Sequence, residues 1–200
     1  PGYHELAYLH PNRFTPDPSV PAEAGVVSGE KYFVLRFNAF KAHHDKGAAG
    51  LSLEQKLQLV KLLEGYGRVI ITTEKEIPQE LAGYRLTVSP KNIHSLVYYS
   101  TMFIGDSQTM ASEAAVMGVP SLRCNSFAGR LSSLEEEEKK YGLTFAFTPP
   151  EFDRLVYKVK ELLSLPGLNE EWKARRRVML ADKIDVTSLL VWLAEGYPAT

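Results

Sequence analysis

"MFIGDSQTMASEAAVMGVPSLRC", residues Met102 to Cys124, is the stretch whose reading decides the fold. It opens as a short apolar run and stops at Gly105. Four small or polar residues follow, Asp106-Ser107-Gln108-Thr109, and then a run rich in Ala and Met. Gly118 and Pro120 end that run, and a second apolar stretch begins. The order reads as strand, tight loop, helix, strand. A loop this polar between a buried strand and a buried helix invites a ligand, and Glu113 stands one helical turn beyond Thr109.

The same alternation extends outward. "KYFVLRF" (31–37) is a buried-strand candidate, "RVIITT" (68–73) a second, and "RLTV" (85–88) a weaker third. "MFIG" (102–105) is the fourth, "PSLRC" (120–124) the fifth and "LTFAF" (143–147) the sixth. Ser52-Leu53-Glu54-Gln55 is a capping box, and Leu53, Leu57, Val60 and Leu63 keep helical spacing behind it. Further helices are expected at about 131–141, 150–164, 169–181 and 185–196, the last an amphipathic closing helix. The run "EEEEKK" (135–140) reads as a solvated helix face. Strand alternating with helix predicts an α/β, three-layer Rossmann-like domain over 31–200. Its sheet has six parallel strands in the order 3-2-1-4-5-6, with helices on both faces. Residues 1–30 carry Pro11, Pro16, Pro18 and Pro21, which oppose helix and central strand alike. They read as an irregular lead-in, with "YLHPNRF" clasping the domain.

Two hundred residues suffice for one domain with a sizeable core. Apolar residues make up 44% and charged residues 24%, and the formal net charge is -1. That charge supplies no long-range field to draw nucleic acid, so none is expected as a partner. No apolar run approaches the ~18 residues of a membrane span. Cys124 is the lone cysteine, which excludes an internal disulfide and favours a reducing, cytoplasmic setting. Its apolar context reads as inert core.

The order 3-2-1-4-5-6 sets two polar loops side by side at the carboxyl end of the sheet, where such folds bind ligands. The first is "RFNAFKAHHDKG", Arg36 to Gly47, with Arg36, Asn38, Lys41, His43, His44, Asp45 and Lys46. It is longer than most strand-to-helix loops, as functional loops tend to be. The second is Gly105 to Thr109, and it runs into a helix starting near Gln108. Free amides and the positive dipole end there suit a phosphate. Ser107 and Thr109 add hydroxyl donors. Helical side chains lean toward the N-terminus, so Glu113 points back toward the bound group, where it suits sugar hydroxyls. Asp106 or Ser107 could equally serve as a cap, and Glu113 as a complement to the dipole. The spacing of His43, His44 and Asp45 does not suit zinc. Neither a Walker A pattern nor GxGxxG is present, which weighs against ATPase and simple dehydrogenase readings.

"IGDSQTMASEAAVMGVPSL" resembles the nucleotide-binding segment in the C-terminal domain of GT-B glycosyltransferases and of non-hydrolysing UDP-N-acetylglucosamine 2-epimerases. The resemblance implies that Asp106, Ser107, Gln108 and Thr109 form the diphosphate turn and that Glu113 accepts ribose hydroxyls. It also implies that the backbone near Asn92, Ile93 and His94 faces the base. Arg36, Asn38 and Lys46 then belong to a phosphate-contacting loop, with His43, His44 and Asp45 as catalytic candidates. "YLHP", "AHHDKG" and "DKIDVT" are most similar to a bacterial and archaeal family of GT-B-like proteins. "HHDKG" is not the His-Arg motif of the 2-epimerases.

On this resemblance the chain is the donor half of a glycosyltransferase, binding a UDP-sugar with no cofactor and no essential metal. Residues 1–30 become the connection to a preceding Rossmann-like domain, without which the chain is expected to be inactive. The alternatives are the same half of a sugar-nucleotide 2-epimerase or hydrolase, with His43 or His44 in acid–base work, and a nonenzymatic nucleotide-binding module.

Overall fold

The computed structural model describes residues 2–37, 50–73, 76–126, 128–129 and 131–196. The strand expected before the 36–47 loop and the helix expected after it both lie within the described residues, while Asn38, Lys41, His43, His44, Asp45 and Lys46 lie outside them.

Five parallel strands form one sheet in the order β2-β1-β3-β4-β5. They are β1 (Tyr32–Arg36), β2 (Arg68–Thr72), β3 (Met102–Gly105), β4 (Ser121–Cys124) and β5 (Thr144–Phe147). Every residue of β3 and β4 is buried. Strand side chains alternate between faces, so these two strands are covered on both. The expected third strand, 85–88, is the one correction to the sheet, which has five strands and not six. "RLTV" contributes a single parallel bridge, Ile71 to Arg85, with the Leu86 amide donating to the Ile71 carbonyl at 2.8 Å. A 3₁₀ helix, Gln79–Tyr84, leads into it, and another, Pro90–Asn92, follows. Too little chain stays extended between them for a ladder to form. The bridge still lies where the expected order put that strand, outside β2.

The lead-in contains two single helical turns, α1 (Leu6–Leu9) and α2 (Val20–Glu23). The prolines do not exclude helix here, because Pro21 occupies the first turn of α2, where no amide is required. Tyr3, Leu6, Leu9 and Val20 are buried and belong to the same core as the sheet. The longer helices follow the periodicity: α3 (Leu53–Glu64), α4 (Ile93–Tyr98), α5 (Gln108–Val116), α6 (Ser132–Lys139), α7 (Phe152–Leu163), α8 (Leu168–Asp182) and α9 (Val186–Gly196). Ser52 caps α3 as a full capping box, its hydroxyl accepting from the Gln55 amide while Gln55 accepts from the Ser52 amide.

α6 departs from the expected solvated face. Glu137 is fully buried, its Oε1 accepting from the Ser112 hydroxyl of α5 at 2.6 Å. Glu135 and Glu138 lie 3.5 Å and 3.2 Å from the guanidinium of Arg123, which is buried in β4. The acidic run thus neutralises a cation inside the sheet layer, while Lys139 and Lys140 remain in water. α9 departs as well. It holds to the domain through its first turn, and from Ser188 onward its residues are exposed, Leu190 and Trp192 among them. Cys124 is buried, and burial pushes its thiol up to about 12, which agrees with inert core.

Candidate nucleotide-binding site

β1 and β3 are adjacent and in register, with Arg36 paired to Gly105. The two strands thus end side by side at the carboxyl edge of the sheet, as the switch-point argument requires. The Asp106 amide donates to the Arg36 carbonyl at 3.1 Å, which extends the pairing one residue past the strand. A Cβ at position 105 would lie 2.4 Å from that same carbonyl oxygen. Glycine is therefore demanded by the closeness of the two backbones.

Ser107 is the N-cap of α5, its hydroxyl accepting from the Met110 amide at 3.4 Å. Cap and ligand roles are compatible. The amides of Gln108 and Thr109, at the first positions of α5, have no acceptor within the helix. Gly118, with φ +76, closes the other end of α5 in the left-handed region, and Pro120 leads into β4.

A cavity of about 700 Å³ opens against this helix start. Arg36, Thr72 and Thr73 line one side, Ser107, Thr109, Met110 and Glu113 another, and Arg85, Leu86, Val88, Pro90, Ile93 and His94 the third. A cation, hydroxyls, a carboxylate and a group of apolar side chains thus line one hollow. Arg36 is steadied by Thr72, whose hydroxyl accepts from Nη1 at 3.1 Å. Of the residues expected from the sequence, Arg36, Ile93, His94, Ser107, Thr109 and Glu113 meet in this cavity. Asp106 and Gln108 do not line it. Asp106 is buried behind the turn, its carbonyl accepting from the Asn125 side chain at 2.9 Å, and its carboxylate faces Gly50. The Gln108 side-chain oxygen is buried with no hydrogen-bond partner among the described residues. Also among the described residues, no group of three His, Cys, Asp or Glu side chains is arranged to hold a metal ion.

Glu113 is buried at the cavity wall. Its Oε1 accepts from the Tyr8 hydroxyl at 2.8 Å and lies 3.2 Å from Nε2 of His94. Burial, and then the bond to Glu113, hold the Tyr8 phenol above its ordinary pKa, so Tyr8 stays a neutral donor. Tyr8 and His94 rings sit 5.7 Å apart, and Phe14 packs edge-on to His94 at 6.2 Å. Sequence reasoning missed Tyr8 as a partner of Glu113. It also missed Thr72, Thr73 and Arg85 as cavity lining. For Tyr8 the only signal was its place in the "YLHPNRF" stretch.

No protein-family model and no curated protein sequence matches the chain. Solved structures do match it. The fold is that of about half of several solved glycosyltransferases and of an epimerase. The glycotransferase of kitacinnamycin superposes with a TM-score of 0.55 at 16% identity, over 86% of this chain and 45% of that one. The glycosyltransferase SnogD from Streptomyces nogalater gives 0.54 at 14%, over 95% and 54%. A UDP-N-acetylglucosamine 2-epimerase gives 0.51 at 14%, over 98% and 51%. The chain thus spans about half the length of the structures it matches, and at these identities the likeness is one of fold. Among the described residues, no helix is long and apolar enough to cross a membrane.

Proposed function

We propose that the cavity binds a sugar nucleotide and that the chain is the donor-binding half of a glycosyltransferase. The diphosphate lies against the start of α5, taking hydrogen bonds from the amides of Gln108 and Thr109 and the hydroxyls of Ser107 and Thr109. Arg36 neutralises part of its charge, a task that protein donors perform without an essential metal. Glu113 accepts the ribose hydroxyls, and the base rests on the apolar wall between Leu86 and Ile93. A UDP-sugar is the proposed donor. Residues 1–30 continue to a preceding Rossmann-like domain that supplies the acceptor and the remaining catalytic groups. His43, His44 and Asp45 are the proposed catalytic candidates by sequence, and the cytoplasm is the proposed setting.

The observation that carries this reading is Glu113 sharing one hollow with Arg36 and the first turn of α5. A phosphate site alone would not call for a carboxylate; a phosphate joined to a ribose does. Calorimetry with UDP, ADP and GDP tests it. Binding of at least one at millimolar concentration or below is expected, and no binding of any to the folded protein overturns it. Product analysis with a UDP-sugar then separates transfer from epimerisation or hydrolysis, and the absence of any turnover leaves a binding module.

A further inference from the structure

We infer that Tyr8 is a positioning residue of the nucleotide site, holding the Glu113 carboxylate so that its second oxygen faces the ligand. This rests on the reading of the cavity just given.

A glutamate side chain has three rotatable bonds, and a carboxylate meant to accept two ribose hydroxyls must be held in one orientation. Two elements distant in sequence converge on Glu113 Oε1. Tyr8 comes from α1 and His94 from α4, at 2.8 Å and 3.2 Å. Both engage the same oxygen, which leaves Oε2 as the acceptor for a ligand. Tyr8 is not among the residues lining the cavity, so it acts from behind Glu113 rather than on the ligand.

The placement of Tyr8 is itself fixed from both sides. The Ala7 carbonyl accepts from the Thr187 hydroxyl of α9. On the other flank, Asp185 accepts from the Asn12 side chain at 3.2 Å and lies 3.5 Å from Arg13 and 3.8 Å from His10. Leu6 and Leu9, the neighbours that face the core, are fully buried. The two motifs that the cavity does not absorb, "YLHPNRF" and "DKIDVT", thus form one clasp whose product at the site is the Tyr8 hydroxyl.

Tyr8→Phe keeps the ring and deletes the donor. On the intact protein, UDP affinity is expected to fall about threefold to tenfold, the range for loss of one such hydrogen bond. Pyrophosphate, which lacks ribose, is expected to bind unchanged, and thermal unfolding to stay where it is. In a Glu113→Gln background, adding Tyr8→Phe is expected to cost UDP much less than it does alone, because the two changes act through one group. Wild-type binding of UDP with no effect of Tyr8→Phe overturns the positioning role and leaves the site reading intact. Equal losses for UDP and pyrophosphate overturn it too, showing a general structural role. No binding of either ligand by the wild type overturns the site reading and this inference together.

Discussion

Arg36 and Gly105 face each other across β1 and β3 at the carboxyl edge of the sheet, so close that position 105 has no room for a Cβ. The pairing starts both polar loops from one place at the edge of the sheet. Gly105→Ala is expected to force the strands apart at that edge. Overpacking of this kind costs about 1–3 kcal/mol. Urea unfolding measures it, and nucleotide affinity should fall with it, since the first turn of α5 moves too. An unchanged urea midpoint would show that the strand ends accommodate the methyl group.

Glu113→Gln separates the ribose role from a general charge effect. Glutamine can still accept from Tyr8, and on the proposed role it loses charge-assisted acceptance of ribose hydroxyls, about 1.5–3 kcal/mol. That corresponds to roughly a tenfold to hundredfold loss of UDP affinity. Pyrophosphate affinity should hold or improve slightly, because a negative charge near the phosphate has gone. Isothermal titration with both ligands reads the difference, and equal weakening of both would remove Glu113 from the ribose site.

Glu137 gives the stability a pH dependence. Burial is the main cause of its pKa rising to about 8 from an ordinary 4.5, opposed in part by the Ser112 hydroxyl and the Arg123 charge. The folded protein therefore keeps a proton that the unfolded chain releases. Between about 4.5 and about 8, this group makes stability fall as pH rises. Denaturant unfolding at several pH values should show that slope, and Glu137→Gln should flatten it. A slope that survives the substitution belongs to another group.

Asp185 acts at the acid end. The Ser188 amide first, then the Ser188 hydroxyl, Asn12 and Arg13, hold its pKa down at about 2. A depressed carboxylate contributes stability above its unfolded pKa of about 3.9 and loses it as pH falls toward the folded value. The clasp should therefore loosen between about pH 4 and pH 2. Asp185→Asn should raise amide exchange in residues 4–14 at neutral pH, to a level that the wild type reaches only in acid. Unchanged exchange there would mean the lead-in is held by its buried leucines alone.

Local patterns carried much of this fold. The apolar runs of β1, β2, β3, β4 and β5, the Ser52 capping box and the start of α5 are each written in fewer than ten consecutive residues. What escaped depends on meetings at a distance. Tyr8 and Glu113 are 105 residues apart, and no local signal announces the hydrogen bond between them. The weak strand at 85–88 kept its place but not its ladder, because flanking 3₁₀ turns decide how much chain stays extended. The burial of Glu137 was legible in principle. Leu134 and Glu137, three residues apart, form the buried side of α6, which the charge of the run conceals.

The clasp between residues 7–13 and residues 185–188 joins positions separated in sequence by as many as 180. It closes nearly the whole chain into a ring, and closure entropy must be met before its contacts reward it. The sheet and its crossovers involve far shorter separations and are expected to form before it. The Tyr8 hydroxyl is held at Glu113 by this long-range closure, so opening of the clasp is expected to release it from the site before the sheet itself is disturbed.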